Sequence, residues 1–281
     1  MTIWIEYLPI LGLSMLRCLG VFLLVPLLNS SNLGGTLVRN SLLLVIILPI
    51  AYMYPNWTQS NLNISGYLWL IISEVSIGLI LGFCAAIPFW AMDAAGTIID
   101  TMRGSSMASI INPLLGQQSS LFGVLFSQVF NVIFLISGGF NQLIAAIYNS
   151  YISIPPASTL NYHIDAFSFI SSLWQLMYEL VIRFAMPAIV VIVLVDMALG
   201  LINRSAQQLN VFFLAMPIKS AFSLLMLIIC FSFAFQHLLA YSLDYLNISL
   251  NLWDFFNEWE NRKAHIEENQ RCAKKRPSSE K

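Results

Sequence analysis

The chain has 281 residues, of which 58% are hydrophobic and 10% charged, with a mean hydropathy of +0.76. Soluble domains carry roughly 25% charged residues, so this composition excludes an ordinary water-soluble enzyme and specifies an integral membrane protein. The net charge of -1 argues against nucleic acid as a partner and averages two unlike regions: residues 1–253 hold eight acids and six bases, residues 254–281 six acids and seven bases.

Apolar runs near the roughly 20 residues that a bilayer-spanning helix needs fall at 8–28, 41–54, 68–92, 121–148, 173–202 and 220–246. They predict an all-α membrane protein with about six hydrophobic helical segments. The first run follows Glu6 without a basic residue and is interrupted by Arg17, so it is expected to stay in place rather than be cleaved as a signal. The second is short, with Pro49 inside it and Pro55 at its end, which suits a kinked half-span or one arm of a hairpin. In the third, Gly78-x-x-x-Gly82 permits close approach of another helix.

The segment after it, DAAGTIIDTMRGSSMASIINPLLGQQSS from Asp93 to Ser120, suits neither lipid nor water. It is too rich in Gly, Ser and Gln for a good span, yet from Gly104 onward it carries no charge. Non-helical backbone at membrane depth is tolerated only where protein buries it or a wet cavity receives it. Asp93 to Asp100 reads as a helix end. The uncharged stretch runs from residue 104 through 164 and is punctuated by Asn112-Pro113, Gly138-Gly139 and Pro155-Pro156. One long helix at 121–148, with loops on both sides, is the expectation there.

A charge at bilayer depth costs about 2.5–3.5 kcal/mol on insertion scales, so each must face protein or water. Glu179 and Arg183 stand four apart in the favourable order for an intrahelical pair. Glu74 and Asp196 have no local partner and are expected to be buried against another helix or subunit, with ion coupling as the alternative. Arg17, Asp93, Asp100, Arg204 and Lys219 are assigned to the same class of buried or assembly charges. Past Leu252 the material changes, dividing the chain into 1–252 and 253–281. Trp253, Phe256, Trp259 and Lys263 recur at helical spacing, giving an amphipathic helix followed by a disordered basic end. A membrane-surface anchor and a docking site for a cytoplasmic partner are both open for it.

The basic tail belongs in the cytoplasm by the positive-inside rule. Six ordinary spans then place the loops bearing Arg39, Arg103, Arg204 and Lys219 outside. Either the number of spans is odd or the segments are not all simple lipid-facing spans. No catalytic constellation is present: Asp93 and Asp100 could share a helix face, but no nucleophile, base and orienter stand together. His163, His237 and His265 lack ligand spacing, and Cys18, Cys84, Cys230 and Cys272 lack paired spacing. The reading is a non-enzyme without cofactor or metal.

Two stretches carry a family likeness: FWAMDAAGTIIDTMRGSSMASIINPLLG from Phe89 to Gly116, and ALGLINRSAQQLNVFFLAMPIK from Ala198 to Lys219. They resemble the T-type inner-membrane subunit of type III secretion export gates, a family that includes the R subunit of the flagellar gate. Family members commonly have Ala-Pro-Gln where this chain has Ala206-Gln207-Gln208. The aromatic second half and the tail are closer to the virulence injectisome branch.

The resemblance implies a single-copy subunit of a bacterial inner-membrane complex. Several copies of two smaller membrane subunits would join it in a helical, closed export channel built of tilted hairpins raised toward the periplasm. It also implies a tail facing the cytoplasmic switch subunit, and passage of needle or inner rod proteins and other unfolded substrates. On the same basis Arg103 to Ser120 matches the family's plug loop. Its residues would include Arg103, Gly104, Ser105, Ser106, Met107, Ile110 and Ile111, an uncharged loop after Arg103 that can pack and unpack against varied chain, with Met adaptable at such a surface. Asn112 and Pro113 would fix its turn, with Gly104 and Gly116 as hinges, and Leu114 and Gln117 belong to the same plug. Two other readings stand beside this one: a secondary transporter or ion channel using Glu74, Glu179, Arg183 and Asp196, and a purely structural membrane scaffold. A transporter predicts an inverted repeat between the halves, and none is visible.

Overall fold

A computed structural model describes residues 2–53, 64–105, 120–154, 165–205 and 214–229. Within them the chain is helical and contains no strand. The helices are α1 (Thr2–Leu24), α2 (Thr36–Met53), α3 (Ile64–Met102), α4 (Leu121–Ile136), α5 (Gly139–Ser153), α6 (Asp165–Ser205) and α7 (Leu214–Ile229). Helix is the expected outcome for apolar backbone, because every peptide group must be satisfied within its own segment where water is absent. α2, α3 and α6 are each long and apolar enough to cross a membrane, and α4 with α5 forms a bent pair that passes the same test together.

The third segment runs ten residues beyond its expected end at 92, so Asp93 to Asp100 are the last turns of α3, as the sequence indicated. At 39 residues, α3 is about 59 Å long for a rise of 1.5 Å per residue. α6, with 41 residues, reaches about 62 Å. Both are about twice the 30 Å hydrocarbon thickness of a bilayer.

The expected single helix at 121–148 is two helices meeting at 71°. The reason lies at Gly138, whose φ of +82° and ψ of 11° place it in the left-handed region, where a side chain would be strained. The helical ladder stops at Ser137, whose N–H bonds back to Ile133, and restarts at Gly139. The Gly-Gly pair therefore acts as a corner, and the chain bends aside instead of continuing straight.

α3 is the central element, packed against α1, α4 and α6, with α2 resting on α1. The α1–α3 contact is made by backbone approaching backbone. A Cβ at Gly20 would lie 2.8 Å from the carbonyl carbon of Gly78, and one at Gly82 would lie 2.9 Å from Val21 Cα. The GxxxG element thus works as a packing surface. Further along α3, towards its C-terminal end, α4 presents phenylalanines every fourth residue, at 122, 126, 130 and 134, and all four are buried. That spacing places them on one helix face. Phe130 and Phe134 meet Phe89 of α3 edge-to-face at 4.9 and 5.1 Å, and Phe126 meets Phe184 of α6 at 5.2 Å.

Candidate functional site

Two buried polar clusters interrupt this apolar packing, one near the middle of α1 and one where α3 and α4 meet. In the first, Arg17 is fully buried. Its Nε donates to Glu74 Oε2 at 2.9 Å and its Nη2 to Glu74 Oε1 at 3.1 Å, a two-pronged pair between α1 and α3. Nη1 donates to the carbonyl and hydroxyl oxygens of Ser150 at 2.7 and 3.2 Å, and Nη2 to the carbonyl of Ile154 at 3.2 Å. The guanidinium also lies 4.1 Å from the ring centroid of Tyr151, whose hydroxyl donates to the Ser14 carbonyl at 2.8 Å. The planar fork of arginine suits this arrangement, because it meets a carboxylate on one edge and carbonyls on the other. Those carbonyls belong to the last turn of α5 (Ser150) and to its C-cap (Ile154), where the helix dipole favours a cation. Arg17 thereby joins α1, α3 and α5.

The second cluster centres on Asp100, which is 3% exposed. Its Oδ2 accepts from Ser120 Oγ at 2.6 Å and from the Phe122 N–H at 2.9 Å, while Ser120 Oγ accepts from the Gly123 N–H at 2.9 Å. Ser120 is the N-cap of α4, and Asp100 adds a second acceptor to that helix start. Arg103 Nη2 stands 2.7 Å from Asp100 Oδ1, and its guanidinium lies 4.3 Å over the Phe122 ring. The Asp100 carbonyl accepts from Ser105 N at 3.1 Å and Ser105 Oγ at 2.7 Å. The two helices can come this close because Gly96 faces Gly123, where a Cβ at Gly96 would fall 2.5 Å from Gly123 Cα. Gly104, with φ of +91°, turns the chain out of α3. Built onto Gly104, a Cβ would meet Met216 of α7 at 3.8 Å. The two stretches that carried the family likeness therefore touch in space.

The other charges expected to be buried divide into pairs and exposed groups. Glu179 and Arg183 form the anticipated intrahelical pair, with both side chains about half exposed. Asp196 of α6 pairs with Lys219 of α7, the two carrying side-chain exposures of 48% and 17%. Asp93 and Arg204 are exposed on the chain itself. Ser106, Met107, Ile110, Ile111, Asn112, Pro113, Leu114, Gly116 and Gln117 lie outside the described residues, as do Trp253, Phe256, Trp259 and Lys263.

The sequence reading did not anticipate Ser120, Phe122, Ser150 or Tyr151. Ser120 stands directly before an apolar helix, and its helix-start signal could have been read there. The roles of Ser150 and Ile154 as carbonyl acceptors leave no trace in side-chain type. Cys18 and Cys84 are free and buried, and no group of three candidate metal ligands occurs among the described residues.

Comparison with known proteins places this architecture. Residues 8–244 match the family model described as "Bacterial export proteins, family 1". The chain is 45% identical over 251 residues to the secretion system apparatus protein SsaT of Salmonella typhimurium, covering 88% of this chain and 96% of that protein. It is 38% identical over 234 residues to the Yop proteins translocation protein T of Yersinia pestis, covering 79% and 86%. Similarity extends to the flagellar biosynthetic protein FliR of Bacillus subtilis, 36% identical over 173 residues, or 60% of this chain and 66% of that one. A family match over most of the chain, carried by relatives from both injectisomes and flagella, shows that the protein belongs to the type III secretion T-subunit and FliR family of bacterial export proteins.

Proposed function

We propose that this membrane-embedded export-apparatus subunit forms part of the closed channel of a type III secretion gate in the bacterial inner membrane, and that residues 103–120 are its plug. The observation that carries the channel reading is the length of α3 and α6. Helices of about 59 and 62 Å do not match a 30 Å hydrocarbon layer as upright spans. They suit tilted hairpins raised partly toward the periplasm and covered by other subunits. That placement also removes the topology conflict, since Arg39 in α2, Arg103 after α3, Arg204 in α6 and Lys219 in α7 then face protein rather than a membrane surface.

The partners on this reading are two smaller membrane subunits in several copies. The amphipathic tail faces the cytoplasmic switch subunit, and needle or inner rod proteins and other exported chains pass through the lumen. The plug reading draws on the neck at Asp100. Ser105 and Ser120, the described residues that bound this uncharged segment, both hydrogen-bond Asp100. A transporter reading finds less support. Glu74, Glu179 and Asp196 each sit against a cation, on Arg17, Arg183 and Lys219, which favours neutralisation over ion coupling.

The test is photocrosslinking in assembled apparatus, with a photoreactive residue at Gly104 and a secretion substrate stalled in transit. A crosslink between this chain and the stalled substrate is expected. Its absence, while the substrate crosslinks to other subunits of the same complexes, contradicts a lumen position for the neck.

A further inference from the structure

The outward surface of α3 changes chemistry along its length. Its exposed residues fall in two stretches on either side of a covered middle: Leu68, Trp69, Ile71 and Ile72 near the start, and Asp93, Thr97, Ile98, Thr101 and Met102 at the end. The first stretch is apolar, and the second carries a carboxylate. From Trp69 to Asp93 the helix rises about 36 Å, more than the roughly 30 Å of a bilayer's hydrocarbon. α2 fits that thickness by itself, because its 18 residues give about 27 Å. Its exposed Leu37, Ser41, Leu44, Leu48 and Tyr52 recur every three or four residues and form one stripe. Ser41 turns its Oγ back to the Leu37 carbonyl at 2.8 Å, and Ser76 of α3 does the same to the Ile72 carbonyl at 2.7 Å, so neither hydroxyl needs water. Arg39, the single charge of α2, lies in its first turn and is half-buried. From residue 40 through 73 the sequence has no charged residue, and Glu74 is buried in its pair with Arg17.

The two apolar surfaces lie at one level of the molecule. Gly20 of α1 stands against Gly78 of α3 and Val21 against Gly82, so α1 and α3 run parallel, and the turn after Leu24 brings the chain back as α2. The start of α2 is therefore near Gly82. α5 fixes the same register lower down: Tyr148 reaches the Ile46 carbonyl, while Ser150 accepts from Arg17, the partner of Glu74. Tyr52, six residues past Ile46, and Trp69, five before Glu74, thus stand at one end, both exposed. Tyrosine and tryptophan are favoured where lipid meets water. We propose that the outward faces of α2 and of the first turns of α3 are the lipid-contact surface of this chain, and that the hydrocarbon ends on α3 between Gly82 and Asp93. Asp93, the Asp100–Arg103 cluster and, through the approach of Met216 to Gly104, the Asp196–Lys219 pair then stand beyond the hydrocarbon. A protein neighbour or water tolerates charge on the surface that it covers, whereas lipid does not. Charge is absent from these faces and returns at Asp93, after a rise that exceeds one hydrocarbon layer, which is the pattern that lipid requires. The assignment rests on membrane embedding and is independent of the channel reading.

The test uses the full chain in assembled apparatus, reconstituted in phospholipid bilayers with all other cysteines replaced. Single nitroxide labels go on Val45, Leu48, Ile72 and Thr97, all exposed on the chain. Where a label blocks assembly, the exposed neighbours Leu44 or Leu68 take its place. At each position the collision rate with oxygen, which concentrates in hydrocarbon, is compared with that of a water-soluble nickel chelate. Labels at 45, 48 and 72 are expected to favour oxygen, with an oxygen-to-nickel ratio several-fold above that at Thr97. Low collision with both reagents at 45, 48 and 72 means that another subunit covers these faces, and it overturns the proposal. A preference for nickel there means water and overturns it equally. An oxygen preference at Thr97 equal to that at Ile72 overturns the boundary between Gly82 and Asp93.

Discussion

Arg17 and Asp100 are both buried charges in an apolar body, yet their surroundings differ. Arg17 is enclosed at 0% exposure and spends its donors on a carboxylate, a hydroxyl and two carbonyls drawn from α3 and the end of α5. Asp100 lies at the rim, beside an Arg103 side chain that is 16% exposed, and its partners are Ser105, just past α3, and Ser120 and Phe122 at the start of α4. The first cluster closes a joint among helices distant in sequence. The second closes a joint between the end of α3 and the start of α4. The same chemistry thus serves a lock among three helices and a clamp between the ends of α3 and α4. Cost follows enclosure: where water cannot enter, a lost partner strands a charge, and at the rim solvent replaces part of what is lost.

Substitutions at the two joints should separate these roles. Arg17→Ala is expected to have the largest effect, about 3–5 kcal/mol, because it strands the Glu74 carboxylate and uncaps α5. Lower steady-state accumulation and loss of assembled complex would show it. The double variant Arg17→Met with Glu74→Leu should recover part of that loss, since it leaves no buried charge. Recovery no better than Arg17→Ala alone would mean that the carbonyls of Ser150 and Ile154, rather than Glu74, are the essential partners.

Gly96→Val is next, at about 1–3 kcal/mol from overpacking against Gly123. It should weaken the α3–α4 contact and leave α1–α3 intact, which site-directed crosslinking of each pair can distinguish. Asp100→Ala follows at about 0.5–2 kcal/mol, the range for losing a helix cap. Its expected signature is normal accumulation with an altered neck. An accumulation defect as deep as that of Arg17→Ala would erase the distinction between the two joints. The smallest effect belongs to Glu179→Gln, within about 0.5 kcal/mol for an exposed pair four residues apart, measured as unchanged accumulation of the chain.

Much of this architecture was legible in the sequence, where the signal was local. The length of the apolar runs located the helices, the four-residue spacing located the Glu179–Arg183 pair, and GxxxG marked a close approach on α3 without naming α1 as the partner. Two features were not legible. Gly138-Gly139 was visible as a possible break, yet the apolar run across it read as one helix, because hydropathy carries no information about a left-handed residue. The pairing of Arg17 with Glu74, 57 residues away, depends on how α1 packs on α3, and no periodicity encodes it. The second partner set of Arg17 is backbone carbonyl, which has no sequence identity. The phenylalanine stripe of α4 was open to reading at positions 122, 126, 130 and 134, and it indicates the buried face of that helix directly.

The central claim, that the segment beyond the Asp100 neck closes a shared channel, is tested most directly by the ion permeability of membranes carrying assembled apparatus in which residues 106–115 are deleted. The account predicts normal assembly with a leak of ions or small molecules well above wild type. Unchanged permeability in a fully assembled deletion variant would contradict it.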